Sequence, residues 1–359
     1  MSRKSWVILT LICLLLCIGG AVAAVSIIDP FELYHKATLY RPPIDNGTQS
    51  YSNAGIAKSY KYDSVIIGSS MTENFSPSQL DEVFGGTFVK LCINGGSPFN
   101  HGQMMTMAFA THDVKRVFYG IDIELLTYFH TTPKTKMPDF LYDFNLFNDT
   151  QYWFNKTVLA KYIPECLAAW GQDQSDQRDT MYTWGDLYPY GKDAVMRGKT
   201  ISPAQVRQRD RSDPPEFSRQ YYLNFETNYR PYIEAHPDTE FIFFFPPYSV
   251  MRWYEFYAEG TMGYYLDQRV ALTEALLPYD NVRIYDFTAE VDWITDLDNY
   301  IDTSHYGPWI NDAIVVAVGE DRCRVTSTQD IADNNAVLFD YVNRLRVHGE
   351  WPDSFDDVQ

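Results

Sequence analysis

The stretch Ser64–Phe75, SVIIGSSMTENF, decides how this chain is read. Val65, Ile66 and Ile67 form an apolar run without polar alternation, the pattern of a strand buried on both faces. Gly68-Ser69-Ser70 ends the run as a turn. In Ser76-Pro77-Ser78-Gln79, a cap residue precedes a Pro at the first helical position, and a capping-box partner stands three residues after the cap. Strand, turn and helix in that order place Ser69 and Ser70 at the carboxyl end of a parallel strand. Sites in such sheets lie there.

Four more short apolar runs share this form, at 88–93, 117–121, 240–245 and 282–287. Helical spacing fills the gaps. His101–Thr111 carries Met104, Met107 and Ala108 on one face, a core stripe, and 217–236, 262–277, 309–318 and 331–347 are further helices. The alternation predicts an α/β protein, a three-layer α/β/α sandwich around a five-stranded parallel sheet. Residues 131–216 break the alternation and are rich in Tyr, Trp, Asp and Pro, with Trp153, Trp170 and Trp184 among them. They read as an insertion after strand three, either a lid or substrate wall or a stabilising excursion. The expected organisation is an N-terminal segment at 1–28, an extended linker at 29–60 and one α/β domain at 61–359.

The chain has 359 residues and is 45% hydrophobic, enough for one large core. Its 27 Tyr serve a core, and rings of this kind also line carbohydrate and acyl grooves. A net charge of −18, with no Lys/Arg cluster after residue 4, argues against a nucleic-acid partner. Of five Cys, Cys13 and Cys17 lie in the apolar N-terminus, and Cys92, Cys166 and Cys323 are widely spaced, neither a disulfide framework nor a zinc pattern. No P-loop, H-E-x-x-H or EF-hand pattern occurs, so no metal or cofactor is expected.

Arg3 and Lys4 precede an apolar run from Trp6 to about Ile28, long enough to span a bilayer. Ala21-Val22-Ala23 resembles a signal-peptidase site, so a cleaved signal competes with an uncleaved anchor. The run continues past those small residues, which favours the anchor. The basic flank stays cytoplasmic, so the rest of the chain is expected outside the cytoplasm in either case.

Ser70 needs a base, and the base needs an orienting carboxylate. Asp302 and His305, three apart in DNYIDTSHYGP after the last strand, supply both. Asn94-Gly95-Gly96-Ser97 ends strand two, and Gly95 or Gly96 can lend a backbone N–H, with that of Ser70, to a tetrahedral oxyanion. Tyr248, after the Pro246-Pro247 turn, leaves strand four at the same edge and reads as a substrate contact or a loop anchor.

This order resembles the SGNH/GDSL hydrolase superfamily. IIGSS stands where that family has Gly-Asp-Ser, INGGS looks like its glycine block, YGID matches its Gly-x-Asn-Asp block and DTSH its closing Asp-x-x-His. The resemblance spans about 62–125 and 238–318. It implies a flavodoxin-like sheet, Ser70 as nucleophile, and Asp302 and His305 as its partners. The membrane segment with Gly-Ser-Ser is more like the branch holding the D-alanyl transfer protein of lipoteichoic acid and the alginate-acetylation proteins. That branch implies a serine esterase or O-acyltransferase acting on acyl esters of a cell-envelope glycan or teichoic-type polymer, with a multi-span membrane acyltransferase as partner. Two positions depart from the pattern: Ser69 replaces an Asp, and Asp122 replaces the oxyanion Asn. An ionised carboxylate donates no hydrogen bond. Asn94, Asn100 or backbone donors alone would then serve the oxyanion, or the chain is a catalytically silent surface protein that binds a glycan or a membrane partner.

Overall fold

The computed structural model describes residues 1–172, 177–201 and 215–355. The chain divides into two compact units, Met1–Lys61 with Lys136–Gln177, and Tyr62–Thr135 with Arg178–Gln359. The expected insertion is thus split between them. Its residues 173–176 and 202–214 lie outside the described residues.

The larger unit is built on a six-stranded sheet in the order β2-β1-β3-β4-β5-β6. The strands are β1 (Ser64–Gly68), β2 (Phe88–Cys92), β3 (Arg116–Gly120), β4 (Glu240–Phe245), β5 (Val282–Asp286) and β6 (Arg324–Val325). The first five are parallel and match the expected runs to within a residue at each end. The expected count of five is corrected by β6, which pairs antiparallel with β5. It holds two residues, one of them exposed, too short to leave an apolar signature.

Register places Gly68 opposite Cys92, and Gly120 opposite Phe244, so the strands end along one edge. The chain leaves β1 toward β2 on one side, while β3 lies on the other. This is a switch point of the 2-1-3-4-5 type, where such sheets form their crevice. Val65, Ile66 and Ile67 are fully buried, as the unalternating run predicts.

Helix α3 (Pro77–Phe84) starts at Ser76 and Pro77 as expected, but the capping box does not form. The Ser76 hydroxyl donates instead to Asp179 Oδ1 at 2.9 Å. A capping box forms at α4 (Pro98–Thr111), between Ser97 and Asn100.

At the end of β5, Asp286 pairs with Arg269, and both side chains are wholly buried. Asp286 also accepts from the Thr288 hydroxyl at 2.7 Å and Asn334 Nδ2 at 2.8 Å. Removing one member leaves an unpaired buried charge. Asp286→Ala is therefore expected to cost about 3–5 kcal/mol in urea unfolding, and a cost within the ~0.5 kcal/mol of a surface change would contradict the pairing.

In the smaller unit, α1 (Arg3–Ile28) is one continuous helix, long and apolar enough to cross a membrane. Residues 29–60, expected as an extended linker, hold α2 (Gln49–Ser59) and pack into a core. Val25, Phe31, Ala54, Leu141, Tyr152 and Val158 share that core. Two buried carboxylates fix the chain after α1. Asp29 accepts from the Tyr34 N–H at 2.6 Å and the Tyr152 hydroxyl at 3.0 Å. Glu32 accepts from the Ala37 N–H at 2.6 Å and the Tyr60 hydroxyl at 2.7 Å. Pro30, Pro42, Pro43 and Gly47 suggest a linker locally, whereas the segment that 29–60 packs against lies some hundred residues away in the chain.

Candidate active site

Ser70 opens a short 3-10 turn (Ser70–Thr72) directly after β1. Glycine is required just before it: a Cβ on Gly68 would stand 2.6 Å from Thr72 Cγ2. The carbonyls of this turn are nearly all bound. Thr72 Oγ1 donates to Ser69 O at 2.8 Å, and Trp184 Nε1 to Ser70 O at 3.1 Å. The Tyr306 hydroxyl at 3.1 Å and Asn311 Nδ2 at 3.2 Å both donate to Met71 O. The turn is held before any substrate arrives.

Ser70 Oγ lies 2.8 Å from His305 Nε2, and His305 Nδ1 lies 2.8 Å from Asp302 Oδ2. Asp302 Oδ1 accepts the backbone N–H groups of Ser304 and His305, each at 2.8 Å. The carboxylate accepts a hydrogen bond from Nδ1–H, which leaves Nε2 as acceptor for the serine hydroxyl. Their loop is closed at its base by an antiparallel bridge between Tyr300 and Tyr306. Thr303, between the two residues, is bound from below. Its carbonyl accepts from Ser249 Oγ at 2.7 Å, and its hydroxyl donates to Glu255 at 2.9 Å. Glu255 in turn pairs with Arg252 and Lys199.

Burial works against the Asp302 carboxylate, but the His305 ring N–H, the imidazolium charge and two backbone N–H groups outweigh it and hold the carboxyl at about 2. Burial likewise disfavours charge on His305, yet the Asp302 hydrogen bond and charge prevail, with Asp122 and Glu73 adding. The imidazole therefore titrates above its ordinary range.

The structure gives Asp122 a definite place. It follows β3 at the switch point and accepts from Ser69 Oγ at 3.0 Å and from the Tyr248 hydroxyl at 2.6 Å. Ser69 and Tyr248 are almost fully buried. Tyr248, read as a substrate contact or a loop anchor, thus gives its hydroxyl to Asp122. Asn100, one of the alternative oxyanion donors, bonds to the chain around it. Its Oδ1 accepts the Ser97, Lys134 and Thr135 N–H groups, and its Nδ2 donates to Thr135 O at 2.8 Å. Both sides of that amide are spent on the chain itself. The Gly96 N–H donates to Ile93 O at 2.8 Å. Gly95, with φ of 59°, keeps its N–H clear of such a bond among the described residues. Asn94 stands beside it in the same turn, its carbonyl accepting from Thr135 Oγ1 at 3.1 Å.

Trp184, which the sequence offers only as one of the aromatic residues of the insertion, packs beside the histidine. Its ring meets His305 edge-on with centroids 5.4 Å apart. Asn74 Oδ1 holds its backbone N–H at 2.9 Å. Lys90, buried in β2, ties the same two segments by donating to Glu73 O and Asp179 O, both at 3.0 Å. Burial brings that ammonium down to about 8. A tryptophan in an aromatic segment gives no signal of which strand end it will reach. Trp184→Phe keeps an aromatic ring at His305 but loses the bond to Ser70 O. A single hydrogen bond is worth about 0.5–1.5 kcal/mol, so a fall of about 2- to 10-fold in the rate of the Ser70 reaction is expected, with substrate KM unchanged. An unchanged rate would show that the turn needs no such support.

No family model matches the chain, and no curated protein matches it. One similar solved structure is described as a candidate platelet activating factor from Streptococcus pneumoniae. It is 13% identical, with 77% of this chain and 91% of that chain covered at a TM-score of 0.39. A likeness that loose carries no argument, so the chemistry rests on the geometry of the site.

Proposed function

We propose that the chain is a serine-dependent esterase or O-acyltransferase acting on ester-linked acyl groups of an extracytoplasmic envelope polysaccharide or teichoic-type polymer. The observation that carries the reading is the unbroken line from Ser70 Oγ through the His305 ring to Asp302, with 2.8 Å at each step. As the Ser70 oxygen attacks the carbonyl carbon, its proton passes to His305 Nε2. The imidazolium is held by Asp302, and the reading assigns the oxyanion to the Ser70 and Gly95 N–H groups. The intermediate collapses, the leaving alcohol takes the proton from Nε2, and the acyl group remains on Ser70. Water or a polymer hydroxyl then attacks by the same steps in reverse. The α1 helix fits a single-pass anchor or a signal segment. As an anchor with the basic flank inside, it would hold the site at the outer face, where a multi-span acyltransferase could supply acyl groups.

Asp122 supports a second reading, a catalytically silent protein that binds glycan or a membrane partner. A carboxylate stands where a donor would help, and it already holds two hydroxyls. A fluorophosphonate probe separates the two. The enzyme reading expects one adduct on the folded protein, mapped by mass spectrometry to Ser70, together with turnover of a simple acetyl ester. Folded protein that takes up no probe and turns over no ester would favour the binding reading.

A further inference from the structure

We infer that the unit formed by Met1–Lys61 and Lys136–Gln177 rests on the bilayer, with a collar of apolar side chains around the end of α1 inserted among the lipids. The inference depends on the reading of α1 as an uncleaved anchor. Phe147 is 91% exposed, Phe144 and Leu146 are 63% exposed, and Phe154, Leu167 and Trp170 are also open to solvent. Scattered exposed apolar residues are ordinary, whereas a concentration of large ones marks an interface. These are not scattered. Residues 144–147 lead into the short helix Thr150–Trp153, and Phe154 ends it. Leu167 lies in the helix Ile163–Ala168. Both short helices pack against α1.

The mounting is rigid. Val25 of α1 is fully buried in the same core as Tyr152, between Phe147 and Phe154 in the chain, and the Asp29 carboxylate binds the Tyr152 hydroxyl. The collar therefore keeps a fixed height relative to the last turns of the membrane-crossing helix.

Charge selects lipid as the occupant. Beyond α1, whose Arg3 and Lys4 stay on the inner side, this unit holds seven basic and nine acidic residues, while the other unit holds 20 basic and 38 acidic. The other unit thus carries a net charge of −18, against −2 here. An anionic lipid surface repels strongly acidic protein and tolerates a nearly neutral, apolar face. Trp170 is of the type that membrane proteins place at the headgroup level, and the Phe and Leu side chains are apolar enough to enter the acyl boundary.

The test uses full-length protein in vesicles of phosphatidylethanolamine and phosphatidylglycerol. A benzophenone amino acid is placed at position 147, at 144 as a second collar site, at 12 within α1, and at 340 on an exposed helix of the other unit. After irradiation, adducts are identified by mass. Lipid adducts at 147 and 144 should exceed those at 340 by about tenfold and approach those at 12, as side chains at the bilayer interface require. Lipid adducts at 12 but not at 147 and 144, or a cross-link from 147 to a second protein chain, would overturn the inference while leaving the anchor intact. Absence of lipid at 12 would remove the anchor and the collar together.

Discussion

Replacing Ser70 by Ala is expected to abolish probe labelling and to lower ester turnover by about 10⁴–10⁶-fold, the range found when a triad nucleophile is removed. Under the enzyme reading the Ser70 hydroxyl forms the acyl bond, because it is the one that meets the His305 imidazole among the described residues. His305 Nε2 already lies 2.8 Å from it, and Asp302 already fixes the ring. Folding should be nearly unaffected. Ser70 contributes its backbone to the turn, and the carbonyls there are bound by Trp184, Tyr306 and Asn311. A thermal midpoint within a few degrees of the parent (about 1 kcal/mol) with no turnover is the expected pair of results. Retained turnover in a folded Ser70→Ala protein would mean that another group attacks.

The second large effect is expected at Asp122. Its charge favours protonation of His305, which must be neutral to accept the Ser70 proton. It also opposes the negative charge that develops on the attacked carbonyl. Asp122→Asn keeps an oxygen for the Tyr248 hydroxyl and turns one amide N–H toward Ser69 Oγ, which must then accept, so the second amide hydrogen is the one left for an oxyanion. Ester turnover should rise by about 10²-fold, the low end of the value of one oxyanion donor. The acidic limb of the pH–rate profile should move to lower pH, because removing a nearby negative charge lowers the pKa of His305. Turnover that falls, with the limb unmoved, would show that the carboxylate is needed to hold Ser69 and Tyr248.

The sequence marked the five parallel strands because each is buried on both faces and bounded by turn residues, signals confined to a few neighbouring positions. It also marked Ser70, Asp302 and His305 as candidates, since all three follow strand ends of the same sheet. It did not reveal β6, whose two residues carry no pattern. Nor did it show that residues 29–60 and 136–177 build a common core, or that Ser76 would abandon its cap for Asp179. Nor do neighbouring residues encode the five hydrogen bonds that tie Asn100 to residues 97, 134 and 135.

What the chain by itself determined was the local part: which segments are strands, where they stop, and which reactive side chains stand at the stops. Apolar period, glycine turns and helix starts are written in adjacent residues. Only the tertiary structure decided how those side chains are used. Trp184 sits against His305, Asp122 holds Ser69 and Tyr248, and Thr303 ties the histidine loop to Ser249 and Glu255. These contacts join residues roughly 50 to 130 positions apart. No propensity or spacing encodes them, because the sheet register that brings them within hydrogen-bonding distance exists only once the whole core has packed.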